Sequence, residues 1–478
     1  MSLNSFEFIL FFVPLLLLRA CVRGNSGDKW LLLMASIAFY LTWSVPGVVL
    51  VLLTSILGWA IGRRMEQTAD LSARRRLLVA NLAANIGLLG FFKYTNFFLE
   101  NLAAALNAFG WHVGTLHYHI ILPAAISYFT FASMSYAIDV YYERMAACRS
   151  IRDYALFMTF FPKLLSGPIQ RAIDFLPQLE ERKRARMEDI ETGLTQFLVG
   201  AVKKMVIADE IAANVSLIFS APGQYDRLTL VQGMIGYAVQ LYCDFSGYSD
   251  MAIGCARILG YRLMENFQMP FSAVTITEFW RRWHISLSGW FRDYVFLPLE
   301  MASRGIRFSL LRVTLNLILT FVLVGLWHGA SWGYVLFGLM HGLALSTHAI
   351  WQKWDPLASW RGRRIYSLAG ICVSRVLTLG VFLFSIVLFR APSVRQGFSY
   401  WRGMLSWNHH GVRMLSPFIL PAIAVVFLVH LFVSKDRNWA QEIPARPLAI
   451  RVAACTALVL ALAFFGSTDN VPFIYFQF

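Results

Sequence analysis

Charge is what this sequence has least of: Asp, Glu, Lys and Arg together make up 14% of its 478 residues, where a soluble globular chain carries about a quarter. A water-exposed fold of this length would lack the polar side chains to cover its surface. Cysteine is scarce as well. The six, Cys21, Cys148, Cys243, Cys255, Cys372 and Cys455, are scattered with no Cys-x-x-Cys pair, so the sequence offers neither a disulfide framework nor a zinc-type spacing. No Walker loop and no Rossmann fingerprint occurs, which leaves nucleotide hydrolysis and dinucleotide chemistry without support. Ordinary serine-hydrolase chemistry is likewise not expected.

What the chain has in quantity is hydrocarbon. Hydrophobic residues reach 58% and the mean hydropathy is +0.56, arranged in runs of roughly 17 to 25 residues, the length a helix needs to cross ~30 Å of lipid. Lys and Arg number 42 against 27 acidic residues, a net charge of +15. In a membrane chain such an excess belongs in cytoplasmic loops beside anionic lipid, so it implies no nucleic-acid partner. The first ten residues have no basic region and carry Glu7, which reads as an uncleaved first span rather than a signal peptide.

The expected fold is all-α: a polytopic integral membrane protein of about 10–12 transmembrane helices, one membrane-embedded domain over 1–478 with its motif core at about 120–345. Spans are expected near 5–20, 30–44, 47–62, 77–98, 120–142, 192–217, 228–255, 308–327, 332–352, 366–389, 415–434 and 449–466. The stretches 154–170 and 263–294 are apolar but broken by Pro, Gly and charge, the pattern of re-entrant or interfacial segments. Arg63, Arg64, Arg74, Arg75 and Arg76, with Arg182, Lys183, Arg184 and Arg186, mark cytoplasmic loops. Glu100 to Tyr118 and Gly466 to Phe478 contain no Lys or Arg and are expected outside, as is the N-terminus. Arg390, Arg395, Arg402 and Arg413 then fall on the outer side, so either that loop breaks the rule or a late span is miscounted.

Three segments carry polar chemistry. Over Glu278 to Tyr294, helical spacing puts Trp280, Trp283, Leu287, Trp290 and Tyr294 on one face and Arg281, His284, Ser288 and Arg292 on another, as in a helix lying at the lipid interface; His284 there is either an anchor-helix polar residue or a functional one. Leu326-Trp327-His328-Gly329-Ala330-Ser331-Trp332-Gly333 closes an apolar span. His328 is a packing residue or a base, and the small residues beside it leave room for a ligand or a close backbone. Leu241 to Gly254 holds Asp244 and Asp250, six apart and so on different sides of a regular helix unless Ser246-Gly247 breaks it; a structural pairing role is favoured for them. His112, His117 and His119, and the pair His409 and His410, lack metal-ligand spacing, so no metal is expected. Lys163, in a broken apolar stretch, either meets a phosphate or snorkels.

At these residues the chain resembles the membrane-bound O-acyltransferase family, and within it the bacterial alginate O-acetylation type. The resemblance runs through Leu122-Pro123, Ser127-Tyr128, Ile138 to Tyr141, Ser166-Gly167-Pro168, Tyr242 to Gly247, Asn266-Phe267, Pro270-Phe271, Phe279 to Tyr294 and Leu326 to Gly329, and includes the closing Pro472 to Phe478. Glu300-Met301 departs from it, standing where Gly-Gly is common, which puts the particular polymer in doubt. The resemblance implies that His328 is catalytic and that His284 lies along the same tunnel, with Trp283, Arg282, Trp327, Asn266, Asp244 and Ser288 as residues lining the substrate path. It further implies a bacterial inner-membrane enzyme with no resident cofactor, acetyl-CoA as acyl donor, a polysaccharide acceptor, membrane lipid around it and a periplasmic serine-esterase-like partner.

Such a transfer needs the acceptor hydroxyl's proton removed, and a positioned imidazole supplies ~10²–10⁴-fold in rate. Desolvation keeps the ring neutral and ready to accept. Two rival readings are a D-alanyl-type transferase fed by a carrier-protein thioester and a transporter of lipid-linked sugar, though the halves show no inverted repeat of motifs.

Overall fold

The computed structural model describes all residues except 116, 304–308, 355–363, 407–409, 433–441, 468–472 and 475–478. His409, and Pro472 with Tyr475 to Phe478 of the closing segment, thus lie outside the described residues. Among them the regular structure is helical, apart from one isolated bridge between Tyr225 and Val412. Each of the twelve apolar stretches expected to span is helical over most of its described residues, with 120–125 and 415–418 outside the helices. Six are long and apolar enough to cross a membrane: Val45–Gln67, Leu71–Ala108, Ser309–His328, Trp332–Trp354, Ala369–Arg390 and Leu448–Phe465. The others are shorter, such as Phe6–Cys21 with 16 residues and Ile419–Phe432 with 14, or carry more charge. Leu448–Phe465 has a mean hydropathy of 2.3 and none of its window is buried inside the protein. One stripe of it, Arg451, Ala454, Cys455, Leu458 and Ala461, is half-buried, and the rest of its apolar surface has lipid as its solvent.

The residues gather into two compact units, Met1–Phe197 with Met251–Met264, and Leu198–Asp250 with Glu265–Phe478. In the first, helix starts are set by side-chain caps: Ser44 accepts from Gly47 N–H, Asp70 from Ser72 and Ala73 N–H, and Ser150 from Asp153 N–H. Buried charge is paired. Arg19 donates twice to Asp28, at 2.7 and 2.9 Å, and again to the carbonyls of Lys183 and Leu259, and Lys29 meets Asp153 at 2.7 Å. Lys163 does not snorkel to the protein surface, being 6% exposed. Its ammonium sits 4.1 Å over the Phe157 ring, with Phe175 at 5.9 Å, a cation–π seat inside the protein.

The second unit is organised by a helical hairpin, Ser309–His328 and Trp332–Trp354, whose two helices touch backbone to backbone. A side chain at Gly325 would strike the carbonyl of Tyr334, and one at Gly338 that of Phe321; only glycine permits so close a crossing. Gly338→Val is therefore expected to lower the thermal midpoint of the detergent-solubilised protein, by the ~1–3 kcal/mol typical of overpacking. Gly370→Val, where an added Cβ meets nothing within 4 Å, is the control, and equal effects of the two changes would dismiss the idea. Arg364–Arg390 packs on this hairpin and is followed by Val394–Leu405, which buries Gly397, Tyr400, Gly403 and Met404 and leaves Arg395 and Arg402 exposed.

Candidate active site

The segment expected to form one interfacial helix is instead broken. Ile276–Arg282 starts under Thr275, whose hydroxyl accepts from Glu278 N–H at 3.1 Å while the Glu278 carboxylate accepts from Val274 N–H at 2.8 Å, a variant of the capping box. The helix stops at Trp283, which is extended, and His284 takes a left-handed backbone with φ of 44° before Ile285–Phe291 begins. The break has a cause in the neighbouring loop. Asn266 offers its backbone carbonyl to Ile285 N–H at 2.9 Å and its side-chain oxygen to His284 Nδ1 at 3.1 Å, replacing bonds that a continuous helix would make. Ser288 closes the gap by donating to the carbonyls of Trp283 and His284, both at 3.1 Å. As a result Trp280, Trp283, Leu287, Trp290 and Tyr294 are all buried in protein, and the expected lipid-facing aromatic stripe is not formed.

His284 is fully buried, its ring edge-on to Phe245 at 4.6 Å and near Phe267 at 6.4 Å. It lies outside the spanning helices, and burial pulls its pKa down to about 3, so the imidazole is neutral across the physiological range. His328 ends the Ser309–His328 helix, 4% exposed, with Phe389 at 5.0 Å and Phe337 at 6.1 Å. Trp327 joins the two. Its indole has His284 at 5.8 Å and His328 at 5.0 Å, so the two imidazoles are no further apart than the sum of those distances. Two motifs more than forty residues apart in sequence thus meet at one tryptophan. Of the two uses expected for the small residues after His328, the close backbone is present: Gly333 lies against the Leu388 carbonyl, while Gly329 lies against the Tyr334 ring. Gly329 to Gly333 also spells Gly-x-Ser-x-Gly, but it links two helices rather than a strand and a helix, so it is no nucleophile elbow.

The remaining expected residues divide. Trp283 stacks on Phe279 at 5.7 Å and packs on Phe382 at 5.0 Å. Arg282 pairs with Glu278 at 3.0 Å and donates to the Gln268 carbonyl, so it anchors the loop that carries Asn266. Asp244 and Asp250 sit on an unbroken helix, Arg227–Ile258; Ser246-Gly247 does not interrupt it. They go to adjacent lysines: Asp250 to Lys203 at 2.7 Å, Asp244 to Lys204 at 2.6 Å. Lys204 also holds Asp209 at 2.7 Å, all three being buried. The lysines lie in a π-helical stretch, Val202–Ala208, a local form common near functional sites. Asp244 further accepts from Ile474 N–H at 2.8 Å, and Phe473 stacks on Tyr248 and packs on Phe245, which brings part of the closing segment next to the His284 neighbourhood. His117 is exposed beside Glu100.

His341 was not among the expected residues. It is fully buried within Trp332–Trp354, Trp280 donates its indole N–H to Nδ1 at 3.2 Å, and Nε2 lies 2.9 Å from Ser385 Oγ, which donates to the Phe382 carbonyl. An indole can only donate, so His341 carries its proton on Nε2 and the chain of donors runs one way, from Trp280 to Phe382. Phe337 stands between it and His328, at 4.7 and 6.1 Å. An ionisable residue inside an apolar helix is the signal that identifies it in the sequence.

With this geometry in place, comparison with known proteins is direct. A model of the membrane-bound O-acyltransferase family matches residues 148–389, a stretch that contains Asn266, His284, Trp327, His328 and His341. The probable alginate O-acetylase AlgI of Pseudomonas aeruginosa is 36% identical over 415 residues, covering 85% of this chain and 75% of its own. The peptidoglycan O-acetyltransferase of Helicobacter pylori is 30% identical over 536 residues, covering 99% and 97%. The teichoic acid D-alanyltransferase of Bacillus subtilis is 30% identical over 279 residues, covering 56% and 70%. From the matched core, the full-length relatives and the apolar spanning helices, the chain belongs to the membrane-bound O-acyltransferase family and is a multi-pass membrane O-acyltransferase.

Proposed function

We propose that the enzyme takes an acetyl group from cytosolic acetyl-CoA and passes it across a bacterial inner membrane toward hydroxyls of an exported polysaccharide, through a periplasmic partner of the serine-esterase class. The observation that carries this reading is the meeting of two buried imidazoles on one indole, in a chain whose near full-length relatives are named for O-acetylation of alginate and peptidoglycan. His328 acts as general base: the acceptor oxygen bonds to the thioester carbonyl carbon, its proton passes to the imidazole, and the C–S bond breaks to release a thiolate that takes up that proton. His284 is the second proton-handling or substrate-positioning group. Trp327 fixes the spacing of the two and keeps water from the thioester. Acetyl-CoA is a substrate in this reading and no cofactor is resident; its phosphates are drawn to the basic loops, and only the acyl end enters the site.

The D-alanyltransferase relative supports a second reading, in which a carrier protein's thioester delivers D-alanine. Membranes containing the enzyme and its polymer, given radiolabelled acetyl-CoA, separate the two. Label in the polymer is the expected result; label only in unreacted donor, with polymer labelling restored by a charged carrier protein, transfers the case to the second reading.

A further inference from the structure

We propose that Asn266 is a positioning residue that fixes which nitrogen of His284 carries the proton, through a hydrogen-bond cradle shared with Ser286 and Ser249. The inference deepens the proposed function and rests on its reading of His284 as a member of the reaction site.

The argument starts from an obligate donor. The backbone N–H of Ser286 points at the Asn266 side chain at 3.3 Å, and an N–H can only donate, so the atom it meets must be the amide oxygen. That settles the orientation of the amide, and the other end agrees: Asn266 Nδ2 donates to Ser249 Oγ at 3.1 Å. The Ser286 hydroxyl donates to the same oxygen at 2.8 Å. His284 Nδ1, 3.1 Å from that oxygen, therefore has to be protonated, since two facing lone pairs would repel inside a site from which water is excluded. The neutral ring then holds its lone pair on Nε2, which becomes the atom that takes up a proton. A base held in one tautomer by a partner on its other nitrogen is ready for proton transfer without rearrangement.

Three aromatic side chains pack round the ring: Phe245, Phe267 and Trp327. Charged and titratable groups on the elements packed against it include Asp244 and Asp250 on Arg227–Ile258, held by Lys204 and Lys203, Glu265 next to Asn266, His328 beyond Trp327, and Glu278, Arg281 and Arg282 on the helix before it. The amide of Asn266 is neutral, so it orients the ring without drawing a second proton onto it. A carboxylate in its place would do both.

The test is ¹⁵N NMR of histidine-labelled protein in lipid bilayers, with the His284 signals identified by their loss in His284→Asn. Protonated Nδ1 and bare Nε2 near neutral pH is the expected pattern. In Asn266→Asp the carboxylate stabilises the imidazolium, so double protonation and the acid-side fall of acyl-transfer activity both move up by about 1–3 pH units. Asn266→Ala is expected to lower kcat about tenfold or more with the donor KM unchanged, and Ser286→Ala to lower it less. A wild-type ring protonated on Nε2, or an Asn266→Asp profile superimposed on that of the wild type, overturns the assignment. If the tautomer and its shift are found but acetyl-CoA is no donor, the proposed function fails and the positioning role stands.

Discussion

Replacing His328 by alanine is expected to cut acetyl transfer by about 10²–10⁴-fold, the contribution of a positioned general base, while the protein still inserts and folds. The ring is 4% exposed and bounded by Trp327, Phe337 and Phe389, so its removal also leaves a cavity. His328→Gln separates the two effects, because it keeps bulk and polarity but cannot accept a proton in the working pH range. Both variants should lose turnover alike, measured as acetyl delivered from labelled donor to polymer, and the glutamine variant should keep a thermal midpoint close to wild type. If His328→Gln works at near wild-type rate, the imidazole is packing and the base lies elsewhere.

The largest effect on stability is expected at Lys204. Its ammonium stands between Asp209 and Asp244 at 2.7 and 2.6 Å, all three side chains at most 4% exposed. Lys204→Met strips the counter-ion from two buried carboxylates, a change that typically destabilises by about 3–5 kcal/mol. Asp244 also holds the backbone of Ile474, so loosening of the closing segment should accompany the loss, seen as earlier proteolysis at the C-terminus. The triple change Lys204→Met, Asp209→Asn, Asp244→Asn removes charge from the whole group and should recover most of the midpoint. A triple variant as unstable as the single one would mean that shape, not charge, is what Lys204 provides.

The spans and the two histidine motifs were legible in the sequence because they depend on local quantities: run length, apolar content, and a few residues in fixed order. The break at His284 was not, since helical spacing carries no sign of the Asn266 loop that competes for its backbone. The meeting of His284 with His328 is a tertiary fact of the same kind, visible once Trp327 is placed between them. Asp244 and Asp250 show the middle case. Their separation on a helix could be read from spacing, while their partners, two lysines from a π-helical stretch, could not. His341 was hidden by ordinariness: one histidine in an apolar helix gains meaning only beside Trp280 and Ser385.

The left-handed backbone at His284 makes one residue responsible for both a reactive ring and a change of chain direction. A β-carbon is strained in that region, Asn tolerates it better than most, and Gly enters it without strain. Alanine at 284 therefore disturbs the route of the polypeptide as well as deleting the imidazole, and the damage it does overstates what the ring contributes; glycine deletes the ring and leaves the corner relaxed. In this enzyme the gap between those two replacements measures how far the geometry of the bend, and not the nitrogen it presents, governs the site.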